Sequence, residues 1–410
     1  KGEPVQRVRN QAEFEIEYNQ SSVDGRMSLI NCQGRGEVSS PIRVEKIIGN
    51  FIRPFDLSLA PLLRVGLIQL TEPGSMSPAS YLLLIDMHHI ISDGTSMKIF
   101  IEEFIALYEN KNLPPLKLHY RDFSWWQKHP QGLEPIKKQE RYWLNQFQGE
   151  IPLLELFYDF PPPAKREQLS GGNRYEFHLS ARELEALNGA AREEDTTLFM
   201  FLLAAYFILL YKLSWNEDIV VGTPVLGREH ADLHRIIGMF VNTLAIRAYP
   251  AGAKNFKDFL KEVKQTALLS FENQGYPFER LVENVQKSAG GNPGSTHRPL
   301  FDTMFVLQNI GIPSLEIPGI TLKNYGYKHP FSRFDLTFIG EEEDNSLRFT
   351  IEYRTSLFKE ETIARWAGYF EEILGIVTGN RDIKMQDMDL ILPEERRKLL
   401  FDFNDTAREY

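Results

Sequence analysis

The chain has 410 residues, 42% of them hydrophobic and 25% charged, the balance of a folded, water-soluble protein with room for two or three folding units. Its 46 Lys and Arg stand against 56 Asp and Glu, a formal net charge of −10. That is the wrong sign for a phosphate backbone, so no nucleic-acid partner is expected. The single cysteine, Cys32, excludes an internal disulfide framework and a cysteine-rich zinc site and suits a reducing compartment, with the cytoplasm as the expected location. No stretch reaches the roughly twenty apolar residues of a membrane span, and residues 1–8 lack the apolar region of a signal peptide, so neither insertion nor export is expected.

In chain order, the apolar run 81–87 predicts a strand, and Met97, Ile101, Phe104 and Tyr108 recur as on one face of a following helix. A helix is predicted over 139–147. Trp125, Trp126, Tyr142 and Trp143 fall at helical spacing and read as packing between elements rather than as a ligand cage. Residues 161–172 hold three consecutive prolines and end on paired glycines, which marks a linker between two lobes. Beyond it, a helix is predicted over 181–192. A second, apolar one over 198–213 follows the capping sequence Glu194-Asp195-Thr196-Thr197 and reads as a buried core helix. Strands are predicted over 219–224, 241–248, 303–308, 334–339 and 347–353, where β-branched and aromatic residues are dense. Helices are predicted over 256–272 and 361–377. Residues 288–295 form a surface loop, and the acidic run from Glu341 to Asp344 ahead of Asn345 reads as a solvated hairpin turn. No fixed-period repeat or sustained heptad is present.

The predicted strand-to-helix junction holds His88-His89-Ile90-Ile91-Ser92-Asp93-Gly94. An imidazole at a strand end can accept a proton near neutral pH, and a carboxylate four residues later can fix the turn through a buried arginine or backbone N–H groups. The same pair can instead merely close the helix entry by hydrogen bonds. A metal site fits poorly, because adjacent side chains on an extended segment diverge and no third ligand stands at a recognisable spacing. A serine hydrolase fits no better, since there is no Gly-x-Ser-x-Gly elbow.

The series of motifs resembles the condensation domain of nonribosomal peptide synthetases, a relative of chloramphenicol acetyltransferase. His88 to Gly94 matches the active-site motif of that family. Tyr120-Arg-Asp-Phe-Ser-Trp-Trp126, Gly222-Thr-Pro-Val-Leu-Gly-Arg228 and the segment from Ile237 to Arg247 follow in the family's order, as do Asn273 to Glu279 and Arg298 to Asn309. Nearly the whole chain is covered. The family's first two motifs are absent, and Gly275 and Arg298 stand where Asp and Asn are common.

The resemblance implies a mixed α/β fold of two acetyltransferase-like lobes in a V-shaped pseudo-dimer. They are expected at 1–160, truncated at its start, and 173–391, joined by the linker 161–172; residues 392–410 lead toward an adenylation domain. His89 then stands midway along a tunnel entered by the phosphopantetheine arms of an upstream donor and a downstream acceptor carrier protein, with no cofactor held by the domain itself. It forms a peptide bond, with His89 as base or anchor for the attacking amine. His88 turns away into hydrogen bonds. Asp93 holds the loop by pairing with Arg247 or Arg228, or acts as a helix N-terminal acid. Gly94 admits the acceptor arm, and Asn309 steadies the tunnel. The motifs 91–96 and 276–278 look like the subtype that joins an L-donor to an L-acceptor. The rival readings are an acyltransferase using coenzyme A and a non-catalytic docking platform.

Overall fold

A computed structural model describes residues 7–9, 12–20, 41–70, 80–163, 169, 171–288, 300–308, 316–317, 320–321, 325, 332–343 and 345–402. Contacts group the chain into two units. The first takes in Lys1–Tyr120, His230–Phe240 and Ile312–Tyr327; the second takes in Arg121–Glu229, Val241–Gly311 and Lys328–Tyr410.

In the first unit, β1 (Ile16–Gln20), helix α1 (Pro41–Phe51), β2 (Leu63–Gln69) and β3 (Tyr81–Met87) build one layer of helix on sheet. The strand order is β1-β2-β3, with β1 parallel and β3 antiparallel to β2. Ile68 stands opposite Leu82, and α1 covers both with Val44 and Ile48. A Cβ at Gly66 would come within 2.8 Å of the Phe51 ring, so glycine is what lets the helix lie this close. The strand predicted at 81–87 is thus confirmed. The chain then turns through residues 88–93 into α2 (Gly94–Tyr108).

The second unit takes in α3 (Tyr120–Lys128) from Arg121 onward and α4 (Pro130–Gln146), and is organised by a six-stranded sheet. Its elements are β4 (Asn173–Leu179), α5 (Ala181–Glu193), α6 (Leu198–Ser214), β5 (Ile219–Val225), β6 (Asn242–Ala248), α7 (Phe256–Glu272), α8 (Phe278–Ser288) and β7 (Thr303–Gln308). The short pair β8 (Glu316–Ile317) and β9 (Ile320–Thr321) belongs to the first unit; β10 (Leu336–Glu343), β11 (Ser346–Tyr353), α9 (Glu360–Gly379) and α10 (Pro393–Leu400) complete the second. The sheet order is β4-β11-β10-β7-β5-β6, with β7 parallel to both β10 and β5 and the remaining pairs antiparallel. This mixed sheet agrees with the mixed α/β class expected from the sequence.

Helix α6 is the centre of this unit. The Thr197 hydroxyl accepts from Met200 N–H as its N-cap, and every residue from 201 to 210 has 0% of its surface exposed. It is apolar all round because it is covered all round. Among the described residues no single helix is long and apolar enough to cross a membrane; α5 and α6 qualify only as a pair bent by 98°. The hairpin of β10 and β11 turns at Asn345, whose φ of 73° is left-handed, and Arg348 pairs with Glu341 and Glu343, so the acidic run carries a hairpin as its composition suggested.

Structure and expectation differ at several places. By contacts, the units part between Tyr120 and Arg121, ahead of the stretch 161–172. Trp143 of α4 and Phe147 just after it are buried with the core of the second unit, and the Trp143 indole N–H donates to Asn273 O at 2.8 Å. Asp159, just before the prolines, accepts from Lys359 N–H and the Thr362 hydroxyl at the start of α9. Residues on both sides of the proline run are therefore anchored to the same unit. The aromatic cluster also splits. Trp143 is 2% exposed, whereas Trp125 and Trp126 are 59% and 45% exposed. Helix α4 also begins nine residues before its predicted start, because Pro130 occupies the first turn, where its missing N–H costs nothing, and Pro135 is tolerated inside. Asn309, Arg298 and Cys32 lie outside the described residues.

Candidate functional site

The site is built where β3 ends. Ile91 N–H donates to His88 O at 3.0 Å, closing a turn, and Asp93 follows with extended backbone as the N-cap of α2. An aspartate in that position satisfies helix N–H groups that have no intrahelical partner. Asp93 Oδ1 accepts from Ser96 N–H and from the Ser96 hydroxyl, each at 2.7 Å, while Oδ2 accepts from Phe240 N–H at 3.1 Å. The carboxylate is 3% exposed. Backbone N–H groups of Ser96 and Phe240 are among the partners of the Asp93 carboxylate.

The two histidines are held in opposite senses. His88 Nδ1 accepts from Ile90 N–H at 3.0 Å, and its ring meets Phe55 edge-on, with centroids 6.0 Å apart. His88 is therefore engaged in hydrogen bonding. His89 Nδ1 lies 2.7 Å from Ser92 O. A carbonyl oxygen only accepts, so Nδ1 carries the proton and, in the neutral ring, Nε2 keeps its lone pair. The His89 residue is exposed. The arrangement presents a base nitrogen with fixed tautomer at the mouth of a strand.

Gly94, the first residue of α2, is exposed, and a Cβ built on it would meet nothing within 4 Å. There is room beside the turn. Arg247 is engaged within its own unit. Its guanidinium forms a bidentate pair with Asp218 at 2.6 and 2.8 Å and donates to Gln146 O and Glu150 O, all within the second unit. The pairing holds the guanidinium above its ordinary pKa, the Asp218 hydrogen bond leading. β6 turns Arg247 toward the end of α4, and it fastens that helix end to the strand β5 side of the sheet. Arg228, the other candidate, is 8% exposed.

Sequence reasoning missed three participants. Asp86, two residues before His88, pairs with Arg64 at 2.9 Å, and the Arg64 guanidinium lies 3.6 Å from the centroid of the same Phe55 ring that meets His88. Burial pushes the Asp86 carboxyl above its usual range, against the pull of Arg64, Arg53 and His88. A lone carboxylate inside an apolar strand was the signal. Ser96, three residues after Asp93, has the spacing of a capped first turn. Tyr120, whose hydroxyl donates to Met239 O at 2.8 Å, gave no signal beyond its motif.

Fold and site together define a mixed α/β protein that presents a tautomerically fixed histidine where a strand runs into a capped helix. The chain belongs to the condensation-domain family: that family's model matches residues 1–400. Gramicidin S synthase 2 of Brevibacillus brevis is 42% identical over 413 residues, spanning all of this chain and 9% of that protein. Surfactin synthase subunit 1 of Bacillus subtilis (strain 168) is 42% identical over 399 residues, 97% of this chain and 10% of that protein. The chain thus spans about a tenth of the length of these relatives. Among solved structures, the X-domain from teicoplanin biosynthesis aligns with a TM-score of 0.75 at 20% identity, covering 94% of this chain and 83% of that one. A four-domain nonribosomal peptide synthetase bound to AMP and glycine aligns with a TM-score of 0.73 at 18% identity, covering 94% of this chain and 29% of that one. At such identities the likeness is one of fold. The family resemblance carried by the motifs is correct.

Proposed function

We propose that this condensation domain forms a peptide bond between two substrates presented as thioesters on the phosphopantetheine arms of carrier proteins, within a cytoplasmic synthetase that also holds an adenylation domain. The α-amine of the downstream aminoacyl thioester attacks the carbonyl carbon of the upstream peptidyl or aminoacyl thioester. A C–N bond forms, the C–S bond breaks, and the donor thiolate departs. His89 Nε2 takes the proton shed by the attacking nitrogen and returns it to the sulfur. An α-ammonium group titrates near 8 and reacts only as the free amine, so a group that receives its proton has chemistry to do. His89 also anchors the amine, and because a thioester is already activated, positioning contributes alongside proton transfer.

The observation that carries this reading is the bond from His89 Nδ1–H to Ser92 O, which leaves Nε2 of an exposed ring as an acceptor. His88 and Asp93 support the turn, Arg228 is the remaining candidate to support Asp93, and Gly94 leaves room for the acceptor arm. Asn309 is assigned a place near the reacting groups by its motif. The motifs favour an L-donor and an L-acceptor. The test loads donor and acceptor amino acids on separate carrier proteins and looks for a dipeptidyl thioester on the acceptor carrier. Equal turnover with free coenzyme A thioesters points instead to a stand-alone acyltransferase, and no turnover with either points to a docking platform.

A further inference from the structure

The segment 238–240 is pinned to the start of α2 and to Tyr120 through its main chain. Gly238 N–H donates to Ser96 Oγ at 3.0 Å, and Gly238 O lies 2.8 Å from the same hydroxyl. Met239 O accepts from the Tyr120 hydroxyl at 2.8 Å, and Phe240 N–H donates to Asp93 Oδ2 at 3.1 Å. Tyr120 closes the segment from the side: its ring meets Phe240 edge-on with centroids 5.1 Å apart, and a Cβ at Gly238 would overlap it. These residues belong to one unit, although the bonds from Ser96 span 142 positions of sequence.

Ser96 has no exposed surface, and its hydroxyl stands within hydrogen-bond reach of Asp93 Oδ1 and of both polar groups of Gly238. Nothing in the geometry brings Ser96 to the reacting atoms. Its influence runs through the backbone. The peptide bond between Ser92 and Asp93 carries the carbonyl that accepts the His89 Nδ1 proton, and Asp93 is the residue that Ser96 and Phe240 hold.

We infer that Ser96 is a positioning residue for His89: it locks Asp93 and the segment 238–240 together, and thereby keeps the Ser92 carbonyl where it selects the Nδ1–H tautomer. Without the hydroxyl, Asp93 Oδ1 loses the Ser96 Oγ bond, Gly238 loses its Ser96 partner, and the Ser92–Asp93 peptide plane is held less firmly. The bond to Nδ1 then lengthens, and the two neutral tautomers mix. Rings in the Nε2–H form no longer offer Nε2 as an acceptor. The rate consequence rests on the proposed function; the tautomer consequence does not.

The test is nitrogen-15 NMR of the full chain labelled at histidine, with a His89→Gln spectrum assigning the His89 ring. The wild-type chain is expected to show His89 protonated at Nδ1. In Ser96→Ala the Nε2–H form rises, and kcat for dipeptidyl-carrier formation falls about tenfold, as for loss of one hydrogen bond to a charged group, with the acceptor KM unchanged within about twofold. Tyr120→Phe, which removes the tether to Met239, moves both readouts the same way by less. Should Ser96→Ala fail to fold, Tyr120→Phe decides alone. Wild-type ring shifts retained in the folded variant overturn the inference. Shifted tautomers in a variant of a chain that makes no peptide bond would defeat the proposed function and leave this inference standing.

Discussion

His89 and Ser92 close a small ring of their own: the imidazole Nδ1–H reaches the carbonyl three residues ahead, at 2.7 Å. That contact assigns each ring nitrogen a role, since one is spent on the main chain and the other is left to accept. His88 is held the opposite way, accepting at Nδ1 from Ile90 N–H. Two neighbouring residues of one type thus carry different tautomers because their main-chain partners differ.

Replacing His89 by alanine is expected to lower the rate of dipeptidyl-carrier formation by about a hundredfold to ten-thousandfold, the usual contribution of a positioned acid or base. The ring is exposed, so the thermal midpoint should stay within about 2 °C of the wild type. Unchanged product formation by the variant would remove His89 from the mechanism.

Arg247→Met should act on stability and not on chemistry. It breaks the bidentate pair with Asp218 and frees the carbonyls of Gln146 and Glu150, a loss of about 1–2 kcal/mol in urea denaturation, because the Asp218 side chain keeps 34% of its surface in water. Turnover per folded molecule stays at the wild-type value. In double-mutant cycles Arg247 couples to Asp218, whereas Arg247 and Asp93 add within about 0.5 kcal/mol. Strong coupling to Asp93 would contradict the pairing seen here.

Burial, followed by a hydrogen bond to Glu140, pushes the Tyr276 phenol up to about 12. Because its folded pKa lies above the unfolded value near 10, the group contributes stability that is complete below about pH 10 and is lost as pH rises through about 12. Denaturation midpoints measured across that window should fall less steeply for Tyr276→Phe than for the wild type. Parallel slopes would show that the phenol does not titrate differently on unfolding.

Gly94→Leu tests the room beside the turn. A side chain there meets no protein atom within 4 Å of its Cβ, so stability should change by no more than about 0.5 kcal/mol, as at other exposed positions. The acceptor-carrier KM is expected to rise about tenfold or more, with the donor KM unchanged. Equal KM values for both carriers in variant and wild type would place the acceptor arm elsewhere.

Most regular elements could be read before any coordinates because their signals are local. The apolar run of α6 with Thr197 ahead of it, the periodicity of α7 and the β-branched strands β5 and β7 each declare themselves within a few residues. Strand β4, with the charged alternation Asn173-Arg-Tyr-Glu-Phe-His-Leu179, did not, since its burial comes from pairing with β11 and not from its own composition. The proline-rich stretch meets the same limit. Prolines forbid a helix or a ladder bond, but which unit a segment belongs to depends on where Trp143, Phe147 and Asp159 find partners.

From the sequence alone came the motif, its seat between strand and helix, the family and the residue to suspect, His89, because periodicity, capping and motif spacing are properties of neighbours along the chain. Tertiary structure decided the rest: that Asp93 binds Phe240 N–H, 147 positions away, that Arg247 turns to Asp218, and that Trp125 faces solvent while Trp143 is enclosed. A buried carboxylate or guanidinium bonds whatever the folded chain brings within about 3 Å, and no count of residues along the sequence specifies that distance.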